Sequence, residues 1–500
     1  MVIIGAGPAG LTAAYELRRK ARDWRVTVLE ESAEIGGIAR TVVHGDLRID
    51  IGGHRFFSRS KTVTDIWTET LPVQGAPARD DRLLGRPGNV APGGPDPEAV
   101  DRVLLRRRCV SRIYYLRHFF DYPISLKPAT LAAMGFSRTC KAVVSYLART
   151  IRKRPERSIE DFFVNRFGRF LYATFFEGYT EKLWGVHPSR ISPEWGLQRL
   201  KGLSPWKALD SAPAPGGGPE GTPPNDAFLY PKLGPGQLWE ALASTLRADG
   251  VEIRLNAKVV GVKTKDGAVA SATLADGTAL PCDALFSSMP VKDLVAAMDD
   301  VPGDVARIAA TLPYRDFITV GLLVDRLAIK NETTRKTVGD IVPDTWIYVQ
   351  ERDVRLGRIQ IYNNWSPYMV DDVERHVWIG LEYFCTEGDA LWAMGDDEFT
   401  EMAVGELRRL GILGVDEPVR KSFRVKQRKA YPAYHGSYAE FGKVREWLDR
   451  FPNLYCIGRN GQHRYSNMDH SMLNGIAAAR ALAGEADKAA VWNADTEGRP

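Results

Sequence analysis

The sequence predicts an α/β fold that opens on a Rossmann-type βαβ unit, and three observations carry that prediction. Val2 to Ile4 is a short β-branched run followed at once by Gly5-Ala6-Gly7-Pro8-Ala9-Gly10. Leu11 to Leu17 then reads as a helix. Arg25 to Leu29 reads as a second strand and ends in an acid, Glu30, twenty residues after Gly10. Strand, glycine turn, helix, strand and acid in this register make a dinucleotide-binding fingerprint.

Each glycine has its own task. Gly5 permits the tight turn, Gly7 lets backbone approach a pyrophosphate, and Gly10 lets the helix lie close to the sheet. The pyrophosphate would rest on the helix N-terminus, where free N–H groups and the dipole favour an anion. Glu30 stands where a ribose-binding carboxylate belongs. Gly216, Gly218 and Gly221 repeat the glycine spacing, but they follow no strand and lie in a Pro/Gly-rich stretch. That match reads as a loop.

Composition bounds the function. The chain has 500 residues, 44% hydrophobic and 26% charged, enough to bury a large core without covalent staples. Its five cysteines are scattered with no CxxC pair and read as reduced residues of a cytoplasmic protein. A net charge of +5 permits an anionic ligand and makes no case for nucleic acid. There is no signal peptide pattern, and no run approaches the roughly 18 apolar residues of a membrane span. The histidines show no metal spacing, so no metal is expected.

Further along, residues 72–100 read as an exposed loop or insertion. Residues 128–208 read as helical, with Ser158 an N-cap and Asp161 at N3. Residues 211–226 form a Pro/Gly loop, and a helix runs from Gly236 to about Leu246. Short strands at Val251–Leu255, Ala257–Val262, Ala268–Leu274 and Ala284–Ser288 are expected to return to the first sheet, with Val259 against an adenine. Residues 314–324, 346–349, 358–364 and 377–384 are expected in a second, antiparallel sheet. Leu454 to Gly458 is the last strand of the first domain and leads to a helix from about Asp469 to Leu482. The cofactor domain is thus expected in three pieces, 1–70, 228–300 and 450–490. A mostly helical substrate or lid region spans 71–227, a sheet substrate domain 301–449, and a tail 491–500.

Behind Glu30, the stretch Ser32 to Arg40 brings the doublet Gly36-Gly37 and then Arg40. Asp50-Ile51-Gly52-Gly53-His54 adds glycines that would let backbone lie against a flat ring. Here the chain resembles the glutathione-reductase-like flavoproteins, whose doublet contacts FAD phosphates. The resemblance implies FAD, held by Gly5, Gly7, Gly10, Glu30, Gly36, Gly37, Arg40, Gly53, His54, Val259, Gly458, Asp469 and Ser471. No second dinucleotide fingerprint occurs, so NAD(P)H, the candidate reductant, would bind without a Rossmann domain of its own.

A narrower likeness begins at Gly52-Gly53-His54-Arg55-Phe56-Phe57-Ser58 and runs through Tyr179-Thr180-Glu181-Lys182-Leu183-Trp184-Gly185 and Trp195-Gly196-Leu197-Gln198-Arg199. It continues in Pro224-Asn225-Asp226-Ala227-Phe228, in Arg358-Ile359-Gln360-Ile361-Tyr362-Asn363-Asn364-Trp365, and in Arg459-Asn460-Gly461-Gln462-His463-Arg464-Tyr465. Together these motifs resemble UDP-galactopyranose mutase of the eukaryotic type, within a broader protoporphyrinogen oxidase and amine oxidase-like group. In those mutases reduced flavin N5 attacks the anomeric carbon of a nucleotide sugar, UDP leaves, the ring re-closes through another hydroxyl, and UDP returns. The resemblance implies that Arg199 and Arg358 clamp a diphosphate, a task suited to the guanidinium fork. It implies that Tyr348, Tyr431, Tyr465 and Asn467 reach the same diphosphate, and that Tyr115 and Asn225 contact the uridine or sugar. His54 would sit beside the flavin and sense its redox state with a pKa near neutrality, and Arg459 would lie near the ring or substrate.

The chain departs from the mutase pattern at Phe119 to Pro123 and in the 72–100 insertion, which leaves a different nucleotide sugar open. Two activities follow. One is a redox-neutral interconversion of pyranose and furanose forms of a nucleotide sugar on reduced FAD. The other is an FAD-dependent oxidase or dehydrogenase. The arginine pair with its tyrosines favours the first, since an amine oxidase needs an aromatic cage and not two phosphate clamps. The number of subunits is not legible.

Overall fold

The computed structural model describes residues 1–122, 130, 134–151, 153–196 and 227–494. Its first sheet has five parallel strands in the order Leu454–Cys456, Leu285–Ser287, Val2–Ile4, Thr27–Leu29, Glu252–Arg254. These strands come from three stretches far apart in the chain. Four of them are short and mostly apolar because a parallel sheet is covered on both faces, whereas the edge strand Glu252–Arg254 carries two charges. Ile3, Val28 and Phe286 are fully buried in it.

The helices Pro8–Lys20, Gly236–Ala248 and Met468–Leu482 supply that cover. Leu11, Leu238, Trp239, Met472 and Ile476 are among the side chains they bury in this core, each contributing about 1.5–3 kcal/mol of transfer free energy. The first and last of these helices approach closely at Gly475, where a Cβ would lie 2.3 Å from Ala9 O.

Val259–Lys265, Ala268–Leu274 and Ala279–Pro281 do not return to this sheet. They form a separate three-stranded antiparallel one. Their alternation of buried and exposed residues, with Lys263 and Lys265 outward-lying in sequence among valines, suits one covered face and not two. The sheet still starts beside Glu30, since Asn256 N donates to Ser32 O at 3.0 Å and Ala257 N to Glu30 O at 2.8 Å.

The second large sheet has seven strands, ordered Val419–Pro432, Tyr314–Val324, Val377–Cys385, Arg358–Ile361, Trp346–Val349, Ser111–Tyr115, His118–Asp121. It is mixed rather than antiparallel, because Trp346–Val349 pairs in parallel with Ser111–Tyr115. The strand expected over 358–364 ends at Ile361 and turns helical at Tyr362–Trp365. There Trp365 Nε1 donates to Thr345 O and Asn363 Oδ1 accepts from Trp378 N, which holds the turn against the sheet.

The described part of region 71–227 is not all helical as expected, since Leu104–Arg108, Ser111–Tyr115 and His118–Asp121 are strands. Stretch 72–100 is more than an exposed loop. It contains the helix Arg79–Leu83, and Arg107 grips Asp80 through Nη1 at 3.0 Å and Nη2 at 2.8 Å in a buried ion pair. Loop 211–226 lies outside the described residues.

A helical layer covers one end of the second sheet: Phe136–Ile151, Ile159–Tyr172 and Gly178–Trp184. Ser158 caps the second helix as expected, its Oγ accepting from Asp161 N at 3.2 Å. Gly168, at φ +77°, allows the first two helices to cross closely, because a Cβ there would fall 2.9 Å from the Ser145 backbone.

Candidate functional site

The nucleotide end is built by two glycine turns docked on each other. Gly5 is at φ +100°, and its N–H donates to Leu29 O at 2.7 Å. At Gly10 a Cβ would stand 2.0 Å from Gly5 O, so no side chain fits between helix and strand. Gly36 N donates to Ala6 O at 2.9 Å, which seats the Gly36-Gly37 doublet beside Gly7. Gly7 and Gly37 then face each other so closely that a Cβ on Gly37 would lie 3.3 Å from Gly7 Cα.

The helix Pro8–Lys20 begins here with no side-chain cap and no acid in its first turn, so its leading N–H groups stay available to an anion. Glu30 is buried at the end of the second strand. Its carboxylate accepts from Ala6 N at 2.9 Å, Ser32 N at 3.0 Å and Ser32 Oγ at 2.8 Å. Backbone cradle, open helix end and oriented acid fit the pyrophosphate and ribose of a dinucleotide.

Other expected cofactor residues have partners within the protein. Arg40 braces the doublet, donating from Nη1 to Gly37 O at 2.9 Å and pairing through Nε with Glu34 at 2.9 Å. Gly458, at φ +71°, backs onto Ala9, whose Cβ lies 2.9 Å from where its own would be. Asp469 accepts from Ser58 Oγ at 3.1 Å, and Ser471 Oγ donates to Asn467 O at 3.1 Å. Val259 is buried at the start of the small sheet, just beyond the Glu30 contact.

A cluster of cations and phenols forms where the second sheet meets the last strand region. Arg358 pairs through Nε with Glu382 on the neighbouring strand, and its Nη2 donates to Tyr431 Oη at 2.9 Å. Glu382 is held from its other side by Gln360 Nε2 at 2.8 Å. Burial disfavours the Arg358 charge, but the Glu382 carboxylate and the phenols of Tyr431, Tyr179 and Tyr465 outweigh it. The guanidinium therefore stays ionised, its pKa well above the ordinary arginine value. Tyr431 in turn is pushed up to about 12 by burial, against the pull of Arg358.

Tyr431 and Tyr465 stack at 5.4 Å with rings 11° apart. Arg459 covers both, its guanidinium carbon 5.7 Å from the Tyr431 ring and 4.9 Å from the Tyr465 ring. Two carbonyls fix it there, Ser466 O at 2.9 Å and Ala430 O at 3.1 Å. Tyr179 meets Tyr348 edge-on at 5.7 Å, and Tyr348 lies 4.5 Å from Tyr122. Tyr115 packs on Phe175 at 5.9 Å, in the same small cluster as Tyr348.

His54 borders this cluster. Its Nδ1 lies 2.9 Å from Gly52 O, so the neutral ring donates from Nδ1 and leaves Nε2 as an acceptor. The expected pKa near neutrality does not hold. Desolvation, then the charges of Arg459 and Arg358, lower it to about 4, and neighbouring guanidiniums penalise a third positive charge. Gly53 does lie against a flat ring, but that ring is the protein's own: a Cβ there would reach Trp346 at 2.3 Å.

The structure thus brings together His54, Tyr348, Arg358, Tyr431, Arg459 and Tyr465. Asn467 is exposed at the N-cap of Met468–Leu482. Arg199 and Asn225 lie outside the described residues. Four contributors carry no assigned role in the sequence: Tyr179 and Lys182, which lie in the Tyr179–Gly185 motif, and Trp346 and Glu382, which lie in none. Lys182 is half-buried, its pKa lowered to about 8 by desolvation, and donates to Val349 O, Glu351 O and Leu356 O at 3.3, 3.0 and 2.8 Å. It ties the helix bearing Tyr179 to the loop between Tyr348 and Arg358. Glu382 did leave a signal, as the one acid in the otherwise non-ionic strand Val377–Cys385.

The model of the flavin containing amine oxidoreductases matches residues 8–483. The chain belongs to that family. Membership makes it a flavoenzyme, with FAD as its cofactor, on the α/β FAD-binding fold of the amine oxidases. No curated protein matches it in sequence. Among solved structures it is similar to a reduced UDP-galactopyranose mutase, at TM-score 0.78 and 20% identity over 98% of this chain and 95% of the other. It is also similar to a candidate protoporphyrinogen oxidase from Exiguobacterium sp. 255-15, at TM-score 0.69 and 17% identity over 99% and 98%. A cyclohexylamine oxidase from Brevibacterium oxydans IH-35A follows, at TM-score 0.63 and 13% identity over 97% and 98%. These likenesses establish the shared fold. Among the described residues no group of side chains is placed to hold a metal ion, and no helix is long and apolar enough to cross a membrane.

Proposed function

We propose that this flavoenzyme is a mutase that interconverts pyranose and furanose forms of a nucleotide sugar, with UDP the favoured nucleotide. The observation that carries the reading is the Arg358 guanidinium, largely buried, locked by Glu382 and set among Tyr431, Tyr179 and Tyr465. With Arg459 over the same tyrosines, the cluster holds two fixed cations in a desolvated setting. Fixed cations stabilise a departing diphosphate most where water is excluded and no reorganisation is needed.

In this reading Arg358 binds the diphosphate through its free guanidinium edge, since Glu382 already holds Nε. Tyr431 and Tyr465 donate phenolic hydrogen bonds to the same oxygens, and Tyr348 lines the approach with Tyr179. Arg199 enters on its motif alone as the second clamp, and Asn225 as a sugar-side contact. When bound, reduced FAD supplies the nucleophilic nitrogen that takes the anomeric carbon. Neutral His54 offers Nε2 as a hydrogen-bond acceptor at the flavin edge. Gly5, Gly7, Gly10, Glu30, Gly36 and Gly37 hold the dinucleotide, and Gly53, Val259, Gly458, Asp469 and Ser471 shape its surroundings. NAD(P)H is the proposed reductant.

The runner-up is an FAD-dependent oxidase, supported by membership of the flavin containing amine oxidoreductases and by the stacked pair Tyr431–Tyr465. Two guanidiniums in the cluster oppose it for an amine, because a protonated amine is repelled by them. The test is to reduce the protein with dithionite, add UDP-galactofuranose and other UDP-sugars, and follow isomerised product without flavin reoxidation. Absence of sugar-nucleotide binding, together with reduction of the oxidised flavin by an amine or other donor, overturns the mutase reading.

A further inference from the structure

The helix Phe136–Ile151 turns an apolar face outward. Phe136 and Ile151, at its two ends, are each 87% exposed, and Val144 between them is 67% exposed. Val143, Leu147 and Cys140 are also exposed. Positions 136, 140, 143, 144, 147 and 151 recur at the spacing of a single helical stripe. The opposite side faces the protein: Ala142 is buried beside Leu171 and Phe175, and Ser145 Oγ accepts from Phe170 N at 2.9 Å. The outward stripe is therefore not a remnant of the interior.

Charge surrounds it on one sign. Residues 136–157 contain seven Lys or Arg and one acid, Glu156. Glu156 is already paired with Arg166 at 2.6 Å, and the next acid, Glu160, with Arg169. Lys141 flanks the stripe, while Lys153, Arg154 and Arg157 follow its C-terminal end, all exposed. An exposed apolar face bordered by lysine and arginine matches a helix that lies in a lipid headgroup layer and is drawn there by anionic lipid.

We propose that this helix docks the protein on an anionic lipid bilayer, with Phe136, Val143, Val144, Leu147 and Ile151 entering the headgroup–acyl boundary and the basic end facing lipid phosphates. A second copy of the chain fits less well. A two-fold contact would bring together two flanks that carry Arg138, Lys141, Lys153 and Arg154 and no acid between 136 and 155, so like charges would meet. The docked helix is one layer from the candidate site, because Ala142 and Tyr348 belong to the same packed cluster. The inference does not depend on which reaction that site performs.

The test is flotation of the flavin-loaded full chain with vesicles of phosphatidylcholine alone or mixed with phosphatidylglycerol. Binding is expected to the mixed vesicles and not to phosphatidylcholine, and to be reversed by salt. Val144→Asp, and separately the triple change Lys153→Gln, Arg154→Gln and Arg157→Gln, should each weaken it at least about tenfold. All these side chains are exposed, and flavin content and melting temperature are expected unchanged. No binding to mixed vesicles at low salt overturns the proposal, as does binding that survives both variants. A dimer in solution that Val144→Asp converts to monomer, without vesicle binding by the parent, assigns the face to a second copy instead.

Discussion

Arg358 and Glu382 stand directly opposite each other on adjacent antiparallel strands, in register, and form an ion pair in which Glu382 is only 1% exposed. The strand pairing itself places the carboxylate, and the carboxylate aims the guanidinium at Tyr431. Backbone register thus orients the cation on which the proposed diphosphate site depends.

This relationship separates two substitutions that otherwise seem equivalent. Arg358→Ala strands a buried carboxylate, and breaking such a pair costs about 3–5 kcal/mol. Its loss of nucleotide binding would be mixed with loss of fold. Arg358→Lys retains the charge but lacks the fork. It is expected to keep flavin and most of the stability while UDP affinity, measured by calorimetry, falls about tenfold or more. Unchanged UDP affinity in Arg358→Lys would count against the clamp.

Gly10→Ala is expected to lose flavin. The new Cβ would lie 2.0 Å from Gly5 O, a backbone atom, so helix and glycine turn must separate. Overpacking of this kind costs about 1–3 kcal/mol and displaces the cradle. The absorbance ratio of flavin to protein after purification reads the outcome. Full flavin content in the variant would show that the cradle tolerates the shift.

Stability should fall on mild acidification. Burial holds His463 and His54 at a pKa of about 4 in the folded chain, aided at His54 by Arg459 and Arg358. The ordinary histidine value is about 6.5, so between these limits the unfolded chain binds the proton and the folded chain does not. Stability is therefore complete above about 6.5 and declines as the pH drops toward 4. The contribution of His463 alone is about 2 kcal/mol between pH 7 and 5. Denaturant melts at the two pH values should show the fall, and His463→Gln should reduce it. An equal fall in that variant would assign the acid sensitivity elsewhere.

Asp80→Asn tests whether the 72–100 stretch is built into the fold. It removes the charge that Arg107 grips in a buried pair, so a cost of about 3–5 kcal/mol is expected in a urea melt. Arg79→Ala, which breaks an exposed pair with Glu98, should cost under about 1 kcal/mol. Similar small costs for both would return the stretch to the status of a surface loop.

The sequence by itself determined the elements whose causes are local. Gly5, Gly7, Gly10 and Glu30 carry their meaning in spacing, and the structure realises the turn, the close packing and the buried acid that spacing implied. Ser158 capping Asp161 and the helix beginning at Gly236 are equally local. Tertiary structure decided what depends on partners distant in the chain. Ser111–Tyr115 is a strand because Trp346–Val349 pairs with it. Val419–Pro432 went unread because its run of Arg and Lys hides the alternation that burial of one face imposes. Glu382 could be seen in the sequence only as an odd acid in an apolar strand. Its task as the partner that orients Arg358 exists only once two strands are laid side by side, and the depressed pKa of His54 exists only once packing desolvates the ring and brings Arg459 and Arg358 up to it.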